Sequence, residues 1–224
     1  MIVDLHVHTS HGAYDSAISP QQLVEEGERM GLDGVALTEH DTMWDRHQFQ
    51  HLAQGRRLVL FNGMEVSTDM GHILVFGLPH YVSGIHRAVQ LRRIVKEAGG
   101  FMVIAHPFRY LIASNERRNG QDGMPSLDEL ARWPVFSLVD EIEVCNAVCD
   151  DQENLLALQV AQKLGMRGVA GSDAHTIIGL GRAVTVFQRP METEAQLLRE
   201  LRAGRFYPAR RPVLGGDLVK LPTG

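Results

Sequence analysis

The chain has 224 residues, 44% hydrophobic and 22% charged, a composition that excludes a disordered or fibrous protein. Its 22 Lys and Arg against 27 Asp and Glu leave a net charge of −5, so there is no basic footprint for duplex nucleic acid. Two cysteines, Cys145 and Cys149, exclude a disulfide framework and fit a cytoplasmic location, and no apolar run is long enough to span a bilayer.

In chain order, strand-like runs are expected at Ile2–Val7, Gly34–Thr38, Leu58–Glu65, Ile73–Gly77, Phe101–Ala105, Val139–Val144, Gly168–Gly171 and Ala183–Phe187. No leader pattern precedes the first of them. Helices are expected at Pro20–Met30, with Ser19 as N-cap, and at Ile85–Ala98, closed by Gly99-Gly100. Two more follow at Asp151–Leu164, ending at Gly165, and Glu192–Ala203, ending at Gly204. Strands alternating with helices of this length imply an α/β domain with mostly parallel strands, open or closed into a barrel. Arg109–Ser126 is polar and long for a loop. The organisation reads as a single domain over residues 1–207 with a surface extension over 208–224.

Eleven histidines against three lysines are the unusual feature. The first strand carries Asp4, His6 and His8 two residues apart, which puts them on one face and Val3, Leu5 and Val7 on the other. Two imidazoles one strand-step apart can chelate one metal ion. Later strand ends repeat the theme: Thr38-Glu39-His40-Asp41, Gly63-Met64-Glu65, Ala105-His106-Pro107 and Gly171-Ser172-Asp173-Ala174-His175. In parallel α/β folds the carboxyl ends of the strands form the ligand face, so these side chains should converge. Only a short turn separates Glu65 from His72, which makes their strands antiparallel neighbours and returns His72 to the rim beside Glu65. His11 and Asp15 follow His8 in a polar loop at the same rim.

The motifs DLHVHTS, TEHD, GMEVS, AHP and GSDAH, in that order, resemble the PHP (polymerase and histidinol phosphatase) family of metal-dependent phosphoesterases. The resemblance implies a distorted seven-stranded β/α barrel with two or three divalent ions at the carboxyl ends of its strands. Carried over by motif, it implies one ion on His6, His8, Glu65 and Asp173. A second would share Glu65 and use His106 and His72. A third would use Asp15, His40 and His175.

Mixed imidazole and carboxylate ligands suit Mn, Fe or Zn. The three carboxylates are outweighed by two or three divalent ions, giving a net positive site that favours a small phosphorylated substrate, a nucleotide among the options. A carboxylate shared by two ions holds them roughly 3.5–4 Å apart, and a hydroxide between them is the expected nucleophile. Glu65, His106, Asp173 and His175 are therefore the expected catalytic set, with Arg109, three positions after His106-Pro107, as the phosphate clamp. Arg117 and Arg118 are weaker clamps, and Asn146 a rim residue. Asp4 and Thr38 are expected to fix imidazole tautomers from below. Strand parity leaves open whether Asp140 or Glu141 and Glu143 face inward. Ser172 reads as a turn residue, and His47, His51, His80 and His86 as solvated, all but His80 on helices.

An amidohydrolase also opens with an HxH strand, but such enzymes commonly bridge two metals with a strand-end lysine. Lys96, Lys163 and Lys220 fall on helices or in the tail. Histidinol-phosphate phosphatase is the alternative within the family, and a non-catalytic metal-binding module the alternative outside enzymology.

Overall fold

A computed structural model describes residues 1–117, 123–212 and 216–222. β1 (Ile2–Val7) leads through a loop into α1 (Pro20–Arg29). There the Ser19 hydroxyl accepts the Gln22 amide and the Gln22 side chain accepts the Ser19 amide, meeting two donors that a helix start leaves free. β2 (Gly34–Leu37), α2 (Arg46–Ala53), β3 (Val59–Thr68) and β4 (Gly71–Phe76) follow. α3 (Ala88–Ala98) stops at Gly99, whose φ of 67° suits a residue without Cβ. Next come β5 (Phe101–Ile104), α4 (Leu111–Arg117), α5 (Leu127–Leu130) and β6 (Glu141–Asn146). α6 (Asp151–Leu164) opens on an Asp150–Glu153 capping box and closes at Gly165 with φ 69°. The chain ends with β7 (Val169–Gly171), β8 (Ala183–Phe187), α7 (Glu194–Arg202), β9 (Phe206–Arg210) and β10 (Val219–Lys220).

All ten strands join one curled sheet in the order β10-β9-β8-β1-β2-β3-β4-β5-β6-β7. Beyond β7, Ala174 bridges back to Val7, and the Asp173 amide donates to the His6 carbonyl at 2.7 Å. The α/β class is as expected; among the described residues the sheet has ten strands rather than the expected seven, and it is not mostly parallel. Five of the nine pairings are antiparallel: β1–β8, β3–β4, β4–β5, β8–β9 and β9–β10. The cause is local. A two-residue turn after Thr68 forces a hairpin, and the chain after Phe187 returns along β8 with only α7 between.

One core cluster joins Val3 and Leu5 to Phe61, Leu74, Phe76, Val103 and Val169, and is closed by Leu197 and Leu201 of α7. Val7 instead packs with Ile18, Leu23 and Val24 beside α1. The expected alternation along β1 therefore fails, and the pairing with β2 shows why: its register slips between Asp4 and Val7. Such a bulge turns the strand over within its own length.

Other expectations shift at element ends. Arg109–Ser126 is not all loop, since it contains α4; Arg118 lies outside the described residues. His86 is not on a helix but precedes α3, its Nδ1 3.5 Å from the Ser67 carbonyl. The tail expected from residue 208 begins later, because Pro208 and Ala209 are buried in β9. Among the described residues no helix is long and apolar enough to cross a membrane.

Candidate metal centre

Glu65 stands at the middle of the carboxyl edge, fully buried on β3. Its Oε1 lies 2.9 Å from His72 Nδ1 and 3.1 Å from His106 Nε2. Its Oε2 lies 2.8 Å from His40 Nδ1, 3.3 Å from His8 Nε2 and 3.5 Å from His6 Nε2. The contacts on Oε2 are close but none is aligned as a hydrogen bond, so a buried carboxylate oxygen is left without one. The β3–β4 hairpin puts Ser67 opposite His72 and turns the imidazole back over Glu65, as the short turn predicts.

Asp173 is the second focus. Its Oδ1 lies 3.3 Å from His8 Nε2 and 3.5 Å from His6 Nε2, and its Oδ2 lies 3.0 Å from an Arg109 guanidinium nitrogen. Asp15, at the exposed rim, sits 3.4 Å from His175 Nε2 and 3.8 Å from His40 Nε2. Four overlapping triads have ligand atoms close enough to share an ion: His8-His40-His175, His6-His106-Asp173, His6-His8-Glu65 and Glu65-His72-His106. All nine residues singled out as ligands thus lie in one constellation. His8, expected with His6, also faces the His40–His175 pair.

Hydrogen-bond logic shows what the cluster lacks. The Glu143 carboxylate, 3.0 Å from His6 Nδ1, can only accept, so His6 carries its proton there and turns the Nε2 lone pair toward His8, Glu65 and Asp173. The Asp173 carbonyl fixes His175 Nδ1 in the same way at 3.0 Å, leaving its Nε2 lone pair 3.3 Å from His40 Nε2. Lone pairs and carboxylates converge, and the donors that reach them, the Arg109 guanidinium on Asp173 among them, still leave Glu65 Oε2 without a hydrogen bond. Cations fit there, and imidazole with carboxylate is a donor set for Mn, Fe or Zn.

The charges agree. Burial disfavours ionised Glu65, but His6, His106 and His40 outweigh it and hold the carboxyl well below the usual range. Burial opposes ionised Asp173 as well, and His6 and His8 again prevail. Burial pushes His8 down to about 4, so it is a neutral donor. His6 goes the other way: burial would lower it, yet Asp173, Glu143 and Glu65 hold it well above 6.5. A proton takes the cation's place when no metal is present.

Several roles differ from those expected. Asp4 touches no imidazole; it accepts the amides of Ser172 and Gly181 at 2.9 Å each. Thr38 bonds the backbone of Val7 instead of a ring. Asn146 is not a rim residue but fully buried, with its Nδ2 donating to Glu143 at 3.0 Å and lying 3.4 Å from Asp173. The tautomer-fixing group is Glu143, whose Oε2 also accepts the His106 amide at 2.9 Å. Ile142 and Val144 pack in one cluster with Leu158 and Ala161 of α6, which turns Glu141 and Glu143 the other way and settles what strand parity leaves open. Glu39, buried beneath the centre, went unassigned; it accepts the Thr9 amide and hydroxyl and the Trp44 indole, tying two site loops together. His11 stacks on Trp44 and takes no part in the triads. Cys145, its thiol pushed up to about 12 by burial, is inert.

His106 and Asp173 hold φ of 28° and 54°, left-handed values that non-glycine residues avoid at a cost of roughly 1–2 kcal/mol. Both lie two residues past a strand end, where the turn aims their side chains inward.

The PHP domain family matches residues 4–141, and the PHP-associated family residues 151–206. An error-prone DNA polymerase of Cutibacterium acnes is 30% identical over 140 residues, covering 60% of this chain. The chain spans only 12% of that polymerase's length. A two-domain protein from Bacteroides vulgatus, containing a predicted PHP-like metal-dependent phosphoesterase, superimposes with a TM-score of 0.62 at 22% identity, over 93% of this chain and 64% of that one. The lesion-specific endonuclease EndoQ of Pyrococcus furiosus does so at 0.60 and 16% identity, over 95% and 59%. With its family match running through every strand end that delivers a ligand up to His106, this chain belongs to the PHP domain family.

Proposed function

We propose that the chain is a metal-dependent hydrolase acting on a phosphomonoester or a small nucleotide phosphoester. The observation that carries this reading is Glu65, whose two oxygens face different imidazole sets, His72 and His106 on one side and His6, His8 and His40 on the other. That is the arrangement of a carboxylate shared between two ions. His6, His8, Glu65 and Asp173 would hold one, His106 and His72 with Glu65 a second, and Asp15, His40 and His175 a third. Divalent ions bound there supply a water acidic enough to attack at neutral pH and positive charge for the phosphoryl oxygens.

The chain's own residues supply orientation. Arg109, its side chain 25% exposed, is anchored by Asp173 and lines the cleft beside His106, so its remaining N–H groups can meet a phosphate. His40 and His175 sit partly exposed at the rim and line the cleft, so the ion they would hold with Asp15 faces the substrate. Glu143 and Asn146 hold the buried side rigid. A lysine among the ligands, the amidohydrolase bridge, has no counterpart: Lys96 and Lys163 lie on α3 and α6, and Lys220, at the end of β10, holds its ammonium 4.7 Å from the Tyr207 ring centroid.

The test is a screen of phosphomonoesters with Mn-loaded protein, alongside elemental analysis. Two or three Mn, Fe or Zn per chain and chelator-sensitive phosphate release are expected. Arg109→Ala should keep the metals and lower kcat/KM about ten- to a hundred-fold, as losing a charge-assisted contact costs about 1.5–3 kcal/mol. Lysine should restore only part, because it lacks the planar fork. Less than one metal equivalent after supplemented preparation overturns the reading.

A further inference from the structure

The cleft over the centre has a volume of about 630 Å³, within the range of small-molecule sites, and its mouth has a distinctive composition. Of two Trp, four Tyr and eight Phe in the chain, only Tyr14 and Tyr110 are exposed, and both line this cleft. Tyr14 is fully exposed although its neighbours are anchored: Ala13 is buried, and the Ser16 hydroxyl donates to the His8 carbonyl at 2.9 Å. The loop has the contacts to fold inward and keeps this ring out.

Tyr110 is held with more effort. Its φ of 64° is left-handed, a conformation costly for an aromatic residue. The carboxylate of Glu153, itself 6% exposed, accepts its backbone amide and fixes that turn. The result is a ring 60% exposed, with the Arg109 guanidinium 5.1 Å from its centroid. An apolar face spent in this way gains nothing for the core.

We propose that Tyr14 and Tyr110 are specificity residues that stack on a planar aromatic ring carried on the alcohol side of the phosphate. A nucleotide has this chemistry, and so does a simple aryl phosphate; a sugar phosphate does not. Asp15 beside Tyr14 and Arg109 beside Tyr110 tie both rings to the reacting end, so the phosphate and the ring are recognised together. The inference rests on the phosphoesterase reading and narrows it.

Adenosine 5′-monophosphate and ribose 5-phosphate differ only in the base, and phenyl phosphate carries a ring without the sugar. With the Mn-loaded full chain, kcat/KM for the nucleotide should exceed that for ribose 5-phosphate about tenfold, through KM, as expected for base–aromatic stacking. In the Tyr14→Ala/Tyr110→Ala protein the ratio of the two should fall to about one, and Phe at both positions should restore the difference. Calorimetry should show the same gap in affinity. Phenyl phosphate matching the nucleotide assigns the preference to the ring alone; ranking with ribose 5-phosphate, it assigns the preference to the nucleobase. Equal constants in the wild type, or a gap that survives the double substitution, overturns the proposal. If no ester is hydrolysed with any metal, the phosphoesterase reading fails, and the calorimetric preference for the base still decides this one.

Discussion

Glu65 faces five imidazoles, a number no hydrogen-bond pattern of one carboxylate can satisfy, so its substitution should act on metal before anything else. Glu65→Gln should lower bound metal and turnover together, while His80→Ala, exposed and remote from the centre, should change neither. Equal metal loss in both proteins would move the site. His6 makes the pH dependence specific. In the ion-free protein its pKa is held well above 6.5, so its protonation stabilises the fold below that value and the benefit fades as pH rises through the raised one. A bound ion needs the neutral ring. Metal-induced stabilisation, read as the Tm difference between loaded and chelated protein, should therefore grow from pH 6 to pH 8, with protons released on binding. A flat or opposite trend would mean that His6 does not compete between proton and metal.

Elements, rather than single side chains, decide how close these groups come. Gly171 ends β7 against β1, where a Cβ would lie 2.4 Å from His6 Cβ and 2.9 Å from Glu143 Oε1. Gly171→Ala must therefore push His6 off its carboxylate, with an overpacking cost of about 1–3 kcal/mol. We expect a cooperative but lower melt and reduced metal content, and full metal occupancy would show that β7 can yield. Much at this scale was legible in the sequence, because His, Asp and Glu recur at strand ends and strand ends share one edge. The His72 hairpin was legible for the same reason, since a short turn permits only one geometry. The β1 bulge was not, because alternating Asp4, His6 and His8 look alike whether or not an extra residue turns the strand over. Asp4 lies off the imidazole face as a consequence, and Glu143, rather than Asp4 or Thr38, fixes the His6 tautomer.

At the scale of the whole molecule, the ligand edge depends on a sheet that runs past its last parallel strand. Ile2 and Val3 of β1 pair with β8, and β8 pairs in turn with β9 along its full length. The Pro-rich end of the chain hid this, since Tyr207-Pro208-Ala209-Arg210 has weak strand propensity and is held by Phe206 against Phe187. Two truncations separate the sheet from its trim. Ending the chain after residue 212 removes, among the described residues, exposed β10 and the partly buried Leu218 and Leu221, and should leave the Tm within a few degrees of wild type. Ending it after residue 204 also removes Phe206 and Ala209, buried at 4% and 0% exposure, and bares the β8 edge. Burial of the phenylalanine alone contributes about 1.5–3 kcal/mol, a large part of a marginal stability, and the open edge invites aggregation. The shorter protein should lose its cooperative melt and its metal together, because β8 is what holds the start of β1, the strand that carries His6. A shorter chain that still melted cooperatively and bound metal would show that β1 is held by β2 and the Val7–Ala174 bridge without it.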